Sequence, residues 1–248
     1  MKKQLNIGFA ESLISRENPY LQYDELEKII LQNKALDLIC FPELYLISDS
    51  KSKYINENIL NDIFDRIDYL SNTYNIAISY GSILPENDKL FIAQIVSIPN
   101  KSRIVYKKTH LGKNELSTFS VGDQLFTFEY KSFTLGIQLC IETHIPELTT
   151  IQRLKGANII IAPFNTPLSA SKRIDLWKKY IPTRSYDNQC FFLCNNFYGG
   201  QLITSPSGKI LFESCKSTTQ SFTIEYQTLN SKTDFLKYRR PELYNNLL

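Results

Sequence analysis

Hydrophobic residues in this chain alternate between strand-like runs and helix-like stripes, and their order predicts the layers of the fold. Leu5 to Ala10 and Asp37 to Phe41 are short, largely apolar runs that suit strands buried on both faces. Between them, Tyr23 to Lys34 carries Leu26, Ile29 and Ile30 at helical spacing. Asn58 to Tyr74 then carries one stripe of Leu60, Ile63, Phe64, Ile67 and Leu70, a helix facing the core. From Ile76 the period shortens. Ile76 to Leu84, Leu90 to Ile98 and Arg103 to Lys107 read as antiparallel strands, the last two separated by the turn Pro99-Asn100-Lys101-Ser102. Leu125 to Tyr130 and Phe133 to Leu139 form another pair, Pro146 to Lys155 a helix with Pro in its first turn, and Asn158 to Ala162 a continuous apolar strand. Lys172 to Asn188 is predicted as one helix and Gln189 to Cys194 as a strand. Gln201 to Thr204 with Lys209 to Phe212 form a hairpin around Ser205-Pro206-Ser207-Gly208. Helices between strands early, and hairpins later, predict an α/β fold with two sheets packed inside and helices outside.

The bulk properties narrow the partners. A chain of 248 residues can bury one sizeable core, and residues 1–248 are expected to form a single domain. With 43% apolar and 12% aromatic residues the chain suits a globular protein, and a net charge of +3 is too small to imply a nucleic-acid or membrane surface. Met1-Lys2-Lys3 leads at once into a short strand that soon meets Glu11, without the apolar core of a signal peptide. No apolar run approaches the roughly 20 residues that span a bilayer. A cytoplasmic protein is expected. Of the five cysteines, Cys40, Cys190 and Cys194 lie in apolar runs as small buried hydrophobes, so no disulfide framework is expected.

Cys140 carries the most chemical information. An apolar run delivers it to a sharp break followed by a helix start, in Gly136-Ile137-Gln138-Leu139-Cys140-Ile141-Glu142-Thr143-His144-Ile145-Pro146-Glu147-Leu148. A thiol on a strand-to-helix turn is exposed at the sheet edge with free backbone N–H groups beside it, and the N–H of Ile141 is the expected oxyanion donor. Glu43, in Cys40-Phe41-Pro42-Glu43-Leu44, and Lys108, in Tyr106-Lys107-Lys108-Thr109-His110-Leu111, also follow apolar strands. Each has a plainer reading alone: an inert buried Cys, a helix-start carboxylate, a solvated lysine pair. Together they suggest one shared site in which an anion and a cation serve a thiol. Cys140, Glu142 and His144 as metal ligands lack the partners to complete a familiar set, since the chain holds two histidines and no second cysteine nearby in sequence. The nine glycines are dispersed and form no phosphate loop.

The order Glu43, Lys108, Cys140 resembles the carbon–nitrogen hydrolase (nitrilase) superfamily, whose members attack amides, carbamoyl groups or nitriles with a Glu-Lys-Cys triad. The resemblance spans nearly the whole chain. It continues in Glu115 with Phe119-Ser120-Val121-Gly122, in Trp177, in Arg184-Ser185-Tyr186-Asp187-Asn188-Gln189, in Asn196, in Pro206-Ser207-Gly208 and in Arg239-Arg240-Pro241-Glu242-Leu243-Tyr244. Ser185 stands for the usual Ala, Asp187 for the usual Glu, and Gln201 for a common Ser. The resemblance implies a four-layer α-β-β-α sandwich, often paired as a homodimer or higher homo-oligomer. It implies Glu43 as general base, Lys108 as oxyanion stabiliser, Cys140 as nucleophile and Glu115 as a second carboxylate that orients Lys108 or the substrate. His110 is then structural, and Gly122 serves a turn. Ile141, Thr143, His144, Phe164 and Asn165 are expected around the substrate. No metal or cofactor is implied.

A small linear amide is the expected substrate. Ile141 stands where nitrile-hydrolysing members commonly carry Trp, and an N-carbamoyl compound is the nearest enzymatic rival. Acyl transfer to an amine would use the same residues. A non-catalytic binding or regulatory protein on the same fold is the rival of another class, and selective alkylation of Cys140 separates the two.

Overall fold

The computed structural model describes residues 4–10, 16–216, 219–225 and 234–243; Met1, Lys2, Lys3, Glu11 and Tyr244, named above, lie outside these. Among the described residues the first sheet takes β1 (Gln4–Phe9), β2 (Leu38–Cys40), β3 (Ala77–Glu86), β4 (Lys89–Ser97) and β5 (Ile104–Lys107). Helices α1 (Pro19–Gln32) and α2 (Glu57–Tyr74) fill the connections before β2 and β3. The second sheet takes β6 (Phe128–Tyr130), β7 (Phe133–Ile137), β8 (Ile159–Phe164), β9 (Phe191–Asn196), β10 (Gln201–Thr204) and β11 (Ile210–Ser214). Helix α3 (Pro146–Leu154) precedes β8, and α4 (Ala170–Lys178) and α5 (Ile181–Asn188) precede β9. Finally β12 (Gln220–Glu225) returns to the free edge of β1.

The sheets run β12-β1-β2-β3-β4-β5 and β11-β10-β9-β8-β7-β6. Strands β1-β2-β3 and β7-β8-β9 are parallel trios, and every other pairing is antiparallel. Because β5 lies two antiparallel steps from β3, its C-terminal end points to the same edge as that of β2. Open sheets bind ligands at such carboxyl ends, so Glu43 and Lys108 fall together by topology.

Alternation explains the layers. In β8, Ile159 and Ile161 join the core between the sheets, whereas Ile160, Ala162 and Phe164 pack under α4 and α5 with Ile174, Trp177 and Ile181. In β9, Phe191 and Leu193 face inward and Phe192 and Cys194 face the helices. A strand covered on both faces needs such an unbroken apolar run. The stripe of α2 is buried throughout, its start is capped by Asn56 Oδ1, which accepts from Asn58 N at 2.9 Å, and it ends at Asn75 with a left-handed φ of 55°.

Several boundaries differ from expectation, three of them near the site or its supports. The single helix predicted over Lys172 to Asn188 is two, because Pro182 cannot continue a helix and instead sits in the first turn of α5. Strand β8 runs on to Phe164, and β6 begins at Phe128 rather than at Leu125. All five cysteines are free, with Cys40, Cys190 and Cys194 buried in the core. No helix among the described residues is long and apolar enough to cross a membrane.

Candidate active site

Glu43 leaves β2 on a tightly held turn. Cys40 O accepts from Asn195 Nδ2 of the second sheet at 3.0 Å, and Phe41 O accepts from Gln94 Nε2 at 3.2 Å, so both sheets grip the backbone that aims it. Leu44 adopts φ 53°, and Gly81 lies so close that a Cβ there would stand 2.3 Å from Leu44 N. Only glycine admits this approach. The carboxylate is 1% exposed and is reached by one ammonium, Lys108 Nζ at 2.8 Å from Oε1.

Successive strand residues point to opposite faces, which separates the two adjacent lysines. Lys107 goes outward to Glu86 at 2.7 Å, and Lys108 goes inward, 1% exposed, between Glu43 and Glu115, each at 2.8 Å. Glu115 Oε2 accepts from Gly112 N at 2.6 Å, which fixes the second carboxylate. Gly122 N donates to Lys108 O at 2.7 Å, and a Cβ on Gly122 would stand 2.4 Å from Lys107 O. Gly122 therefore serves close packing against the end of β5, rather than the turn expected from sequence.

Cys140 opens a 3-10 turn, Cys140–His144, with φ 47°, the sharp elbow expected after a strand. A buried amide network ties the strand end to α3: Gln138 Nε2 donates to Thr149 Oγ1 at 3.1 Å and Gln152 Oε1 at 3.0 Å. Glu142 holds the elbow from below. Its Oε1 accepts from Tyr106 OH (2.9 Å), Thr109 N (2.6 Å), Thr109 Oγ1 (2.6 Å) and His110 N (3.3 Å), and its Oε2 accepts from Leu139 N (2.6 Å). One carboxylate thus locks the segment after Lys108 to the segment before Cys140. Glu142→Gln puts an amide donor where an acceptor stands, and is expected to cost about 3 kcal/mol. Calorimetry should then show a melting temperature lower by about 6–12 °C, with activity reduced by misplacement of Lys108 and Cys140.

The three groups perturb one another. Burial pushes the Cys140 thiol up to about 11 and the Glu43 charge pushes the same way, while Lys108, Thr166 and Arg173 pull against them. Burial also raises Glu43 above the ordinary carboxylate value; Lys108 opposes this, and Glu115 and Glu142 add to it. Burial pulls the Lys108 ammonium down, but Glu43, Cys140 and Glu115 outweigh it and hold it above the usual lysine value. The resting thiol is therefore protonated at neutral pH beside a carboxylate with raised proton affinity and a fixed cation. Such a set can move a proton off sulfur and stabilise an oxyanion.

A sequence profile of carbon-nitrogen hydrolases matches residues 4–228. The chain belongs to the carbon-nitrogen hydrolase family. The (R)-stereoselective amidase of a Pseudomonas species is 24% identical over 190 residues, 71% of this chain and 68% of that protein. A nitrilase of Pyrococcus abyssi is 24% identical over 257 residues, 91% of this chain and 94% of its own. A cysteine-to-alanine mutant of the amidase from Nesterenkonia sp. AN1, solved in complex with butyramide, superimposes with a TM-score of 0.84 at 18% identity over 98% of this chain and 97% of that one. The fold is the α-β-β-α sandwich of the nitrilase superfamily, and the protein is a hydrolase of carbon–nitrogen bonds.

The remaining expected residues of this carbon-nitrogen hydrolase fall in different places. Ile141 is exposed on the elbow, where the first N–H groups of a helical turn lack an internal partner. Thr143 Oγ1 donates to Cys140 O at 2.8 Å and meets Tyr180 OH at 3.1 Å, and His144 stacks on the Tyr180 ring with centroids 4.2 Å apart. Asn165 Oδ1 accepts from Arg16 Nη1 at 2.8 Å. Phe164 ends β8 fully buried with its ring 5.0 Å from that of Trp177, a core position rather than a loop position. The exposed His110 has its Nδ1 2.9 Å from Thr109 Oγ1.

Sequence reasoning missed Thr166, whose Oγ1 is 3.6 Å from Cys140 Sγ and whose loop is clamped by Asn196 Oδ1 on Thr166 N at 2.8 Å. It also missed Arg16, stacked 3.7 Å over Phe197 with Nη1 3.3 Å from Leu44 O, and the buried Arg173. The signal that could have pointed to Thr166 is Phe164, which continues the apolar run of β8 past Ala162. Isolated arginines in polar stretches gave none.

Proposed function

We propose that this hydrolase cleaves a small linear amide through Glu43, Lys108 and Cys140. Glu43 takes the proton from Cys140 Sγ as sulfur attacks the amide carbon, and the C=O electron pair moves to oxygen. Lys108 and the Ile141 N–H hold that oxyanion. The intermediate collapses as Glu43 returns the proton to nitrogen, the C–N bond breaks, ammonia or an amine leaves, and a thioester remains. Glu43 next takes a proton from water, whose oxygen attacks the thioester. Cleavage of the C–S bond then gives the acid and restores the thiol. Glu115 holds the Lys108 ammonium from its other side. The observation that carries this reading is the buried Lys108 ammonium held by two carboxylates at 2.8 Å and close enough to the Cys140 thiol for their charges to interact.

Ammonia release from a panel of small amides, N-carbamoyl compounds and nitriles tests it. Amides are expected to be the productive class. Turnover of nitriles or carbamoyl compounds alone would reassign the substrate, and no ammonia from any compound together with a Cys140 inert to iodoacetamide would favour a binding protein on the same fold.

A further inference from the structure

Thr166 stands before Pro167, a position that favours extended backbone, and a β-branched side chain there has few rotamers open to it. One amide fixes the segment from both sides. Asn196 Oδ1 accepts from Thr166 N at 2.8 Å, and Asn196 Nδ2 donates to Thr166 O at 3.1 Å. Among the described residues the hydroxyl so placed has two polar neighbours, Cys140 Sγ at 3.6 Å and Arg173 Nη1 at a long 3.5 Å. A guanidinium can only donate, so the oxygen accepts from Arg173 and its own hydrogen is left for sulfur.

Arg173, on α4, is 4% exposed, lies over the rings of Phe164 (4.8 Å) and Trp177 (5.2 Å), and has no acidic partner among the described residues. No carboxylate neutralises it, so its charge polarises the hydroxyl and strengthens it as a donor. The other titratable groups facing the sulfur are Glu43 after β2, Lys108 at the end of β5 and Tyr180 between α4 and α5, with His144 of the nucleophile's own turn stacked on Tyr180. Of these, Lys108 is already held by Glu43 and Glu115 at 2.8 Å each. Thr166 and Arg173 both pull the thiol down, yet it stays pushed up to about 11, so they do not ionise the resting sulfur. Their effect falls on charge that develops later, as Glu43 removes the proton during attack and as sulfur departs with the electron pair of the C–S bond.

We infer that Thr166 is a further catalytic residue, whose hydroxyl donates a hydrogen bond to the Cys140 sulfur as negative charge develops on it, and that Arg173 is the positioning residue that orients and polarises this hydroxyl. Thr166 keeps its proton throughout. The inference rests on Cys140 being the attacking thiol, as proposed above. Thr166→Val keeps the shape and removes the hydroxyl, and Thr166→Ser keeps the hydroxyl. Both are compared in a Cys215→Ser background, which removes the exposed thiol and leaves Cys40, Cys190 and Cys194 buried. At one fixed pH below the thiol pKa, where alkylation tracks the thiolate fraction, iodoacetamide is expected to modify Cys140 about 3- to 10-fold more slowly in Thr166→Val and within about twofold of the parent rate in Thr166→Ser. In Thr166→Val, kcat should fall by a similar factor with KM nearly unchanged, because the bond is made to charge on sulfur and not to substrate. Arg173→Met should slow alkylation more in the parent than in Thr166→Val, because part of its effect passes through the hydroxyl. A Thr166→Val enzyme that alkylates and turns over like the parent overturns the inference, as does a Thr166→Ser enzyme that falls as far as Thr166→Val. Equal slowing by Arg173→Met with and without the hydroxyl overturns the part given to Arg173. Where Thr166→Val does not fold, Thr166→Ala against Thr166→Ser decides, since those two differ only in the hydroxyl. These reversals leave the amidase reading standing so long as Cys140→Ala abolishes ammonia release. Conversely, hydroxyl-dependent alkylation with no ammonia from any amide sustains the donor and removes the amidase reading.

Discussion

Cys140→Ala is expected to lower ammonia release by at least about 10⁴-fold while the protein keeps its fold, because the variant removes the thiol proposed to form the covalent intermediate. Among the described residues the side chain makes one polar contact, to Thr166 Oγ1, so little structure depends on it. Glu43→Gln separates the proton acceptor from the nucleophile. Glu43's charge helps to raise the thiol, so its removal should lower the thiol pKa below about 11 and shift the alkaline rise of iodoacetamide alkylation to lower pH. Turnover should nevertheless fall, by about 10²–10⁴-fold, because a thiol that ionises more readily still lacks a base for the proton, the leaving group and the water. A Glu43→Gln variant that alkylates more readily and turns over as fast as wild type would remove Glu43 from the reaction.

The proposed division of labour was legible in part. Glu43, Lys108 and Cys140 each follow an apolar strand at a break, and strand ends are where a sheet exposes side chains without losing its core, so local pattern sufficed to single them out. Two adjacent lysines could be sorted by family pattern, and the structure supplies the physical reason: alternation sends one out to Glu86 and the other in. The helix break at Pro182 was hidden because Ile174, Trp177 and Ile181 continue the apolar phase across it. Ser185, unusual against the family pattern, meets Thr204 Oγ1 at 2.5 Å, a pairing between segments that periodicity does not connect. Glu142 was visible as a residue but not as a lock, because its five hydrogen bonds come from strand ends far apart in sequence. Arg16, Thr166 and Arg173 reach the site only through tertiary packing.

Lys108→Met is expected to damage both reaction and fold. Loss of an oxyanion donor should lower kcat by about 10²–10³-fold. It also leaves Glu43, buried and 1% exposed, facing Glu115 with no cation between them, and breaking such a pair costs about 3–5 kcal/mol. The pH dependence identifies the cause. Lys108 is what restrains the rise in Glu43's proton affinity, so without it the folded Glu43 pKa climbs further above the ordinary 4.5. A group that binds its proton more tightly when folded imposes no penalty below its unfolded pKa and a growing one as pH rises to its folded value. The melting temperature of Lys108→Met should therefore approach wild type near pH 4.5 and diverge steadily toward neutral pH. Lys107→Met, which breaks the partly exposed pair with Glu86 and the ammonium contact with the Phe91 ring, should change stability by no more than about 1 kcal/mol at any pH and leave turnover intact. A gap between Lys108→Met and wild type that does not change with pH would mean that the lost aliphatic packing, and not the stranded carboxylates, destabilises the site.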